Sequence, residues 1–299
     1  MSIRHADDAR VLVTVAMPIY NAGIYLRLAV LSIVAQTFER WELLIIDDGS
    51  TDNALEAIAD IRDSRIRIFR DGKNKGLAVR LNEACAQAVG QYLARMDQDD
   101  VSYPERLRLQ VEALQADPGL DVVAGRTISI DDNDSYTGMF AFAGTHEEIC
   151  AQPWRGFVFP HPAWMGRLEW FLKHRYAEPA PYFCEDQELL LRTYRQSRFH
   201  ALDRVVLAYR IRASVNWAKL GATRRAMLAM QWRLFCASAM WWQAVLALLT
   251  YFAKSGVDLL RRIRGAEMAQ GGGPRDVGAA GDWARILNEL KFSHPQRPA

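Results

Sequence analysis

Two apolar runs that end in carboxylates constrain this chain more than any other feature. Residues 41–46, rich in Leu and Ile, read as a buried strand that runs into Asp47-Asp48-Gly49-Ser50-Thr51-Asp52. Tyr92-Leu93-Ala94 reads as the body of another and runs into Met96-Asp97-Gln98-Asp99-Asp100. Parallel strands present the same ends on one edge of a sheet, and open α/β sheets bind ligands at that edge. The acids can therefore converge on one ligand. Clustered carboxylates repel each other, so keeping them ionised calls for a cation. Oxygen-only ligands in such a place suit Mg²⁺ or Mn²⁺ shared with the phosphates of a substrate. Taken alone, Asp97, Asp99 and Asp100 are equally well explained as a solvated turn capping the helical pattern after Pro104.

The surrounding pattern supplies the sheet. Residues 11–16 are a β-branched run and predict a strand that stops at Pro18-Ile19-Tyr20-Asn21. Asn21 is a suitable N-cap for a helix over 24–36, and Asp52 for one over 54–61. A third strand is expected over 65–69, a turn at Asn74-Lys75-Gly76, a helix over 77–89, and a strand over 120–124. Residues 130–142 read as a loop or hairpin, 187–195 as a helix with Asp186 in its first turn, and 205–210 as a last strand leading to Arg212. Strands alternating with helices imply an α/β fold, a mostly parallel sheet covered on both faces. No G-x-G-x-x-G follows the first strand and no P-loop is present, so phosphates would be held through a metal instead of a glycine-rich nest.

Half of the 299 residues are apolar, enough for one large core. A net charge of +2 gives no reason to expect a nucleic-acid partner. Four scattered cysteines (Cys85, Cys150, Cys184, Cys236) form no C-x-x-C pair and suit a reducing compartment. Residues 1–10 are polar and carry no signal-peptide core, so a cytoplasmic catalytic part is expected.

Five pieces in order resemble a family 2 glycosyltransferase with the GT-A fold. They are the stretch ending Pro18-Ile19-Tyr20-Asn21 with Ser32 to Phe38; Asp47-Asp48-Gly49-Ser50-Thr51-Asp52; Asn74-Lys75-Gly76-Leu77-Ala78; Met96 to Asp100 with Pro104-Glu105-Arg106-Leu107; and Glu185-Asp186 with Leu189 and Arg192. The resemblance implies a GT-A domain over 11–215, with a nucleotide-sugar half (11–118) and an acceptor half (119–215). By it Pro18, Tyr20, Asn21 and Asp48 line the nucleotide pocket, Asp48 accepting from the base imide. Asn74, Lys75 and Arg80 lie along the nucleotide. Asp97 and Asp99 form the D-x-D pair that approaches ribose and metal, with Gln98 between them and Asp100 in support. Asp186 is the base that deprotonates the acceptor hydroxyl. His161, Met165 and Glu185 face the acceptor. Where many relatives carry a histidine after the last strand, this chain has Arg212, a candidate diphosphate contact. The implied activity is inverting, Mn²⁺- or Mg²⁺-dependent transfer from a nucleoside-diphosphate sugar, a uridine one first, to a glycan or lipid-linked acceptor in bacterial polysaccharide synthesis.

Residues 216–265 form a basic and apolar region. From Arg204 to Gly265 there are eleven Lys and Arg against one acid, Asp258. Residues 234–253 contain no charge, Pro or Gly, about the ~20 residues that a membrane-crossing helix needs. Basic flanks suit anionic headgroups. A membrane-associating region, spanning, re-entrant or in-plane, is expected at the cytoplasmic face of the inner membrane. Residues 266–299 read as a flexible tail with one short helix over 283–290. Two other functions share features of this sequence. A nucleotidyltransferase is disfavoured by Pro18-Ile19-Tyr20-Asn21 where its glycine-rich loop would stand. A non-catalytic sugar-nucleotide scaffold would have no need of Asp97, Asp99 and Asp186 together.

Overall fold

A computed structural model describes residues 10–211, 216–263 and 274–293. Arg212 lies outside them. Strands β1 (Val13–Ile19), β2 (Trp41–Asp47), β3 (Ile66–Arg70) and β4 (Tyr92–Arg95) form a parallel block in the order β3-β2-β1-β4. Every residue of β1, β2 and β4 is buried, as expected for parallel strands covered on both faces. Helices α1 (Leu26–Val34) and α2 (Leu77–Gln87) follow β1 and β3. Leu26, Ala29, Val30 and Ile33 of α1 recur at helical spacing and join the main core.

Beyond β4 the sheet becomes mixed. Short β5 (Val101–Ser102) leads to α3 (Arg106–Ala116), and β6 (Val122–Ile130) forms a hairpin with β7 (Tyr136–Met139). Next come α4 (His146–Ile149), β8 (Met165–Arg167), α5 (Leu168–His174), α6 (Glu185–Thr193) and β9 (Phe199–Arg210). The sheet continues β4-β8-β6-β9-β5, with β8 antiparallel to both neighbours and β6 parallel to β9. The chain thus leaves β4 mid-sheet and is next caught at β5, on the far side of β9. The segment making that passage, residues 96–100, is the carboxylate cluster.

Four expectations change. The helix predicted over 54–61 is a short 3₁₀ segment, Ala54–Ile58. Asn21 does not cap the helix after β1. It adopts φ 48°, and its Oδ1 accepts from Thr51 N at 2.8 Å, while Asp52 Oδ2 accepts from Gly23 N at 2.8 Å. The apolar run 234–253 is not one helix. α7 (Trp217–Ala237) ends in a Schellman turn: Ala239 takes φ 56°, its N–H reaches Cys236 O at 3.1 Å, and Met240 N reaches Phe235 O at 2.8 Å. The chain then reverses into α8 (Trp241–Ile263), and no helix of the described residues is long and apolar enough to cross a membrane. The run lacked Gly and Pro, the usual sequence signs of such a stop.

The stretch expected to be a flexible tail contains α9 (Val277–Ser293), which packs against the sheet. Trp283, Ile286 and Leu290 are buried with Val101, Tyr103, Ile128, Ile130 and Ala208 in a second, smaller core. Trp283 Nε1 donates to Asp134 O at 2.7 Å, and its ring stacks on Tyr103 at 6.4 Å between centroids.

Candidate functional site

The loops after β1, β2 and β4 meet at the carboxyl edge of the parallel block. Asp48 N donates to Ile19 O at 2.8 Å and Asn21 N to Ser50 Oγ at 3.0 Å. Gln98 clamps the third loop to the first: its Oε1 accepts from Tyr20 N at 2.6 Å and its Nε2 donates to Tyr20 O at 3.1 Å. Both polar ends of Gln98 are thereby engaged by the protein, so it holds loops together and leaves Tyr20 half-exposed at the rim. Pro18 is buried in β1.

Asp48 is buried and accepts three donors through four contacts. Oδ1 receives Lys75 N at 2.7 Å and Arg80 Nε at 2.8 Å, and Oδ2 receives Gly76 N at 3.0 Å. The fourth contact, Gly76 N to Oδ1, is longer at 3.3 Å. Arg80 is buried behind it, and its remaining donors go to Asp71, Glu83 and Lys73 O. Lys75 Nζ pairs with Asp71 and Glu83, each at 2.7 Å. The resemblance places Arg80 and Lys75 along a nucleotide; in the fold both cations bond the carboxylates around Asp48. Asn74 is exposed on the same loop. Gly49, at φ +75°, lets that loop close: a Cβ there would stand 2.9 Å from the Lys73 carbonyl carbon.

The carboxylate cluster is held from three directions. Gln36, at the end of α1, donates to Ser102 Oγ (3.1 Å) and Tyr103 O (2.7 Å), and accepts from Leu107 N at 3.0 Å. Arg210, at the end of β9, donates from Nε to Asp99 O at 2.9 Å, and its own N–H reaches Asp100 Oδ1 at 2.9 Å. Its guanidinium also bonds Asp131 O and Asp134, and Asp134 in turn receives Lys291 of α9 at 2.8 Å. Arg95 bonds Asp97 at 2.6 Å. Asp97 and Asp99 remain partly accessible, whereas Asp100 is buried. Burial, together with the charges of Asp97 and Asp99, raises the Asp100 carboxyl well above its ordinary range. The sequence reading missed Gln36, Arg95 and Arg210 as organisers. An Arg inside or ending an apolar strand was the available signal.

Arg95 also acts on residues 161–186. Its Nε and Nη1 are buried with no protein partner among the described residues. Its charge acts on His161, Tyr176, Glu185 and Asp186. His161 is buried, bonded to Tyr176 OH at 2.7 Å, with Glu185 Oε1 3.9 Å from Nδ1. Burial, helped by Arg95, pushes the imidazole well below its usual pKa. Glu185 is pushed up to about 7, chiefly by burial and then by Asp186. Asp186 is also raised by burial, against the hydrogen bond from Gln187 Nε2 at 3.2 Å. Gln187 is itself fixed by accepting from Phe157 N at 2.8 Å. Met165, expected to face the acceptor, is fully buried in the sheet, because β8 is paired on both sides by β4 and β6.

Asp186 opens onto a cavity of 430 Å³ between the 154–158 loop, the start of α6 and the α7–α8 pair. Its walls include Trp154, Phe157, Met227 and Tyr251, with the cations Arg155, Arg224 and Lys254 around them. Arg224 is paired with Asp258 at 2.5 Å. Lys254 donates to Arg155 O at 2.9 Å, and burial, together with neighbouring Arg224 and Arg155, lowers its pKa. An anion would relieve that crowding of like charge.

The family model for glycosyl transferase family 2 matches residues 14–175, more than half of the chain. The chain belongs to glycosyl transferase family 2. Among relatives of this family 2 glycosyltransferase is the putative glycosyltransferase EpsE of Bacillus subtilis strain 168, 37% identical over 40% of this chain and 44% of that one. Another is the UDP-Glc:alpha-D-GlcNAc-diphosphoundecaprenol beta-1,3-glucosyltransferase WfgD of Escherichia coli, 35% identical over 34% of this chain and 41% of that one. The match spans less than half the length of either relative. The solved structure of S. aureus TarS 1-349 in complex with UDP-GlcNAc has a TM-score of 0.62 at 16% identity, covering 95% of this chain and 82% of that one. That likeness establishes the GT-A-like fold, with β1 to β4 as the part of the sheet whose loops carry Asp48, Asp97 and Asp99.

Proposed function

We propose that this glycosyltransferase moves a sugar from a nucleoside-diphosphate sugar, a uridine one first, to a hydroxyl of a glycan or lipid-linked acceptor in bacterial polysaccharide synthesis, with inversion at the anomeric carbon. One observation carries the reading: the buried cation Arg95 bonds Asp97 at 2.6 Å, and its charge also reaches Glu185 and Asp186. A donor held over Asp48, Tyr20 and Asp97 would lie against a wall that contains Asp186. The complexes of TarS with UDP-GlcNAc and the acceptor named for WfgD support the donor and acceptor classes.

In the proposed reaction the acceptor oxygen attacks the anomeric carbon opposite the diphosphate. The bond to the leaving oxygen breaks with its electron pair, and Asp186 takes the acceptor's proton. Gln187, anchored on Phe157 N, keeps that carboxylate aimed at the cavity. Arg155 and Lys254 suit an acceptor that carries phosphate beside its sugar. Glu185, His161 and Tyr176 form the buried wall behind the base.

The cluster also fits a divalent cation. Asp97 and Asp99 offer oxygen donors only, Asp100 Oδ2 is buried without a protein partner among the described residues, and the repulsion that raises Asp100 is what a cation relieves. The described residues contain no group of three or more His, Cys, Asp and Glu arranged to hold a metal by themselves, so Asp97 and Asp99 would share the ion with the donor's phosphates. Bound Mn²⁺ or Mg²⁺ would supply positive charge to the leaving diphosphate.

The test is calorimetric binding of a nucleoside diphosphate panel with and without Mn²⁺. One diphosphate should bind, tightened by metal in the wild type but not in Asp99→Ala. Asp186→Asn should keep that binding and lose about 10²- to 10⁴-fold in turnover. Binding by no member of the panel would refute the reading.

A further inference from the structure

Helix α8 is amphipathic in the reverse sense to α1. Its inward side carries Ala244, Ala247, Tyr251, Lys254 and Asp258; Lys254 bonds the 154–158 loop and Asp258 pairs with Arg224 of α7. Its outward side carries Trp242, Val245, Leu249, Phe252, Leu259 and Ile263, all between 40% and 78% exposed. These six recur at three, four and seven residues, so they form one stripe along the helix. At ~1.5 Å per residue, α8 is roughly 34 Å long. A stripe of that length left uncovered by the described residues is far more than the scattered apolar residues that an ordinary surface shows.

We infer that this face of α8 lies in the plane of an anionic lipid bilayer. The charge pattern selects that occupant. Residues 216–263 hold seven Lys and Arg against one acid, and that acid is paired with Arg224. Arg225 and Arg233 on α7, and Arg261 and Arg262 at the end of α8, are exposed on the same helical pair. An exposed apolar stripe on a helical pair rich in exposed cations is the composition of a segment that sinks its apolar side to the acyl boundary and keeps its cations among phosphate headgroups. A crossing helix is not compatible with Lys254 and Asp258 on the opposite side of α8.

The inference deepens the membrane setting of the proposed function and names its surface. The inner side of α8 lines the cavity that contains Asp186. Seating the outer side on a bilayer brings that cavity to the headgroup layer, where a lipid-borne acceptor exposes its phosphate and first sugars. Arg155 and Lys254 then face the phosphate, and the base faces the sugar.

The test is flotation of the full chain with phosphatidylcholine vesicles, with and without phosphatidylglycerol, at low and high salt. The protein should float with the anionic vesicles and release partly in salt. Leu249→Glu/Phe252→Glu should lower the partition coefficient at least about tenfold, from the burial lost by two large apolar side chains. Arg261→Glu/Arg262→Glu should remove the preference for the anionic vesicles. Both sets of positions are exposed, so thermal unfolding and nucleoside diphosphate binding should match the wild type. Failure to float with either vesicle overturns the inference. So does a dimer in sedimentation that Leu249→Glu/Phe252→Glu dissolves. A protein that floats but binds no nucleoside diphosphate would overturn the transfer reading and leave the membrane face standing.

Discussion

Replacing Glu185 by Gln should make the protein more stable, and by an amount that depends on pH. Glu185 sits at the start of α6 with its side chain 14% exposed, its nearest cationic candidate His161 at 3.9 Å. That imidazole is held neutral by burial and Arg95, so it gives the carboxylate no counter-charge. Burial and the adjacent Asp186 raise Glu185 from its ordinary 4.5 to about 7. The folded state therefore holds this proton more tightly than the unfolded chain. Below the unfolded value both states are protonated and there is no penalty. As pH rises from 4.5 toward 7 the unfolded chain ionises first and stability falls, and above 7 the full penalty is present. A rise of that size corresponds to about 3 kcal/mol. The assay is urea unfolding of wild type and Glu185→Gln across the weakly acidic to weakly alkaline range. Taking the difference between the two proteins cancels the titration of all other groups. The variant should gain about 2–3 kcal/mol on the wild type between the two ends, with the midpoint of that change on the acid side of neutrality. A difference that stays constant with pH would refute the argument, showing that water or Arg95 keeps Glu185 ionised in the folded state. A difference of the opposite slope would show that Glu185 is ion-paired.

Three other outcomes follow from the packing. Arg210→Met removes the guanidinium that ties Asp99 O and Asp131 O to Asp134, and breaking so buried a pair should cost about 3–5 kcal/mol in unfolding free energy and weaken metal-dependent nucleotide binding; unchanged values for both would show that Gln36, Arg95 and Gln98 hold the loop without it. Trp283→Ala empties the contact of α9 with Tyr103 and should cost about 3–5 kcal/mol if α9 unfolds with the domain, whereas early proteolysis within α9 at unchanged global stability would show that the helix detaches on its own. Gly49→Ala forces a Cβ to 2.9 Å from Lys73 in a left-handed backbone, and should lower stability by at least about 1 kcal/mol along with affinity for the nucleoside diphosphate.

The parallel block was legible because its strands are buried on both faces, and their β-branched and leucine runs record that directly. Asp48, Asp97 and Asp99 were legible because strand ends in such a sheet have only one edge to occupy. Arg80, Gln98 and Met165 were assigned by resemblance, and the protein partners that surround each of them were not legible in the spacing. A side chain's direction depends on which neighbour closes over it, and spacing along the chain does not state that neighbour. Residues 234–253 illustrate the same limit. Composition alone permitted a continuous apolar helix, and the turn at Ala239 is made by backbone bonds from two residues to carbonyls of the preceding turn.

What the sequence determined by itself is local: where strands begin and end, which acids sit at their ends, and the family that this order of motifs implies. The tertiary structure decided everything that needs two distant segments at once. Arg95 bonds Asp97 and its charge reaches Glu185 and Asp186, Arg210 joins the carboxylate loop to a hairpin held by α9, and α8 turns Lys254 and Asp258 inward and its apolar stripe out. The physical reason is that burial and electrostatic coupling act through space. A buried charge takes its partners from whatever the fold brings within a few ångströms, and for Arg210 these include Asp99 and Asp100, more than a hundred positions away.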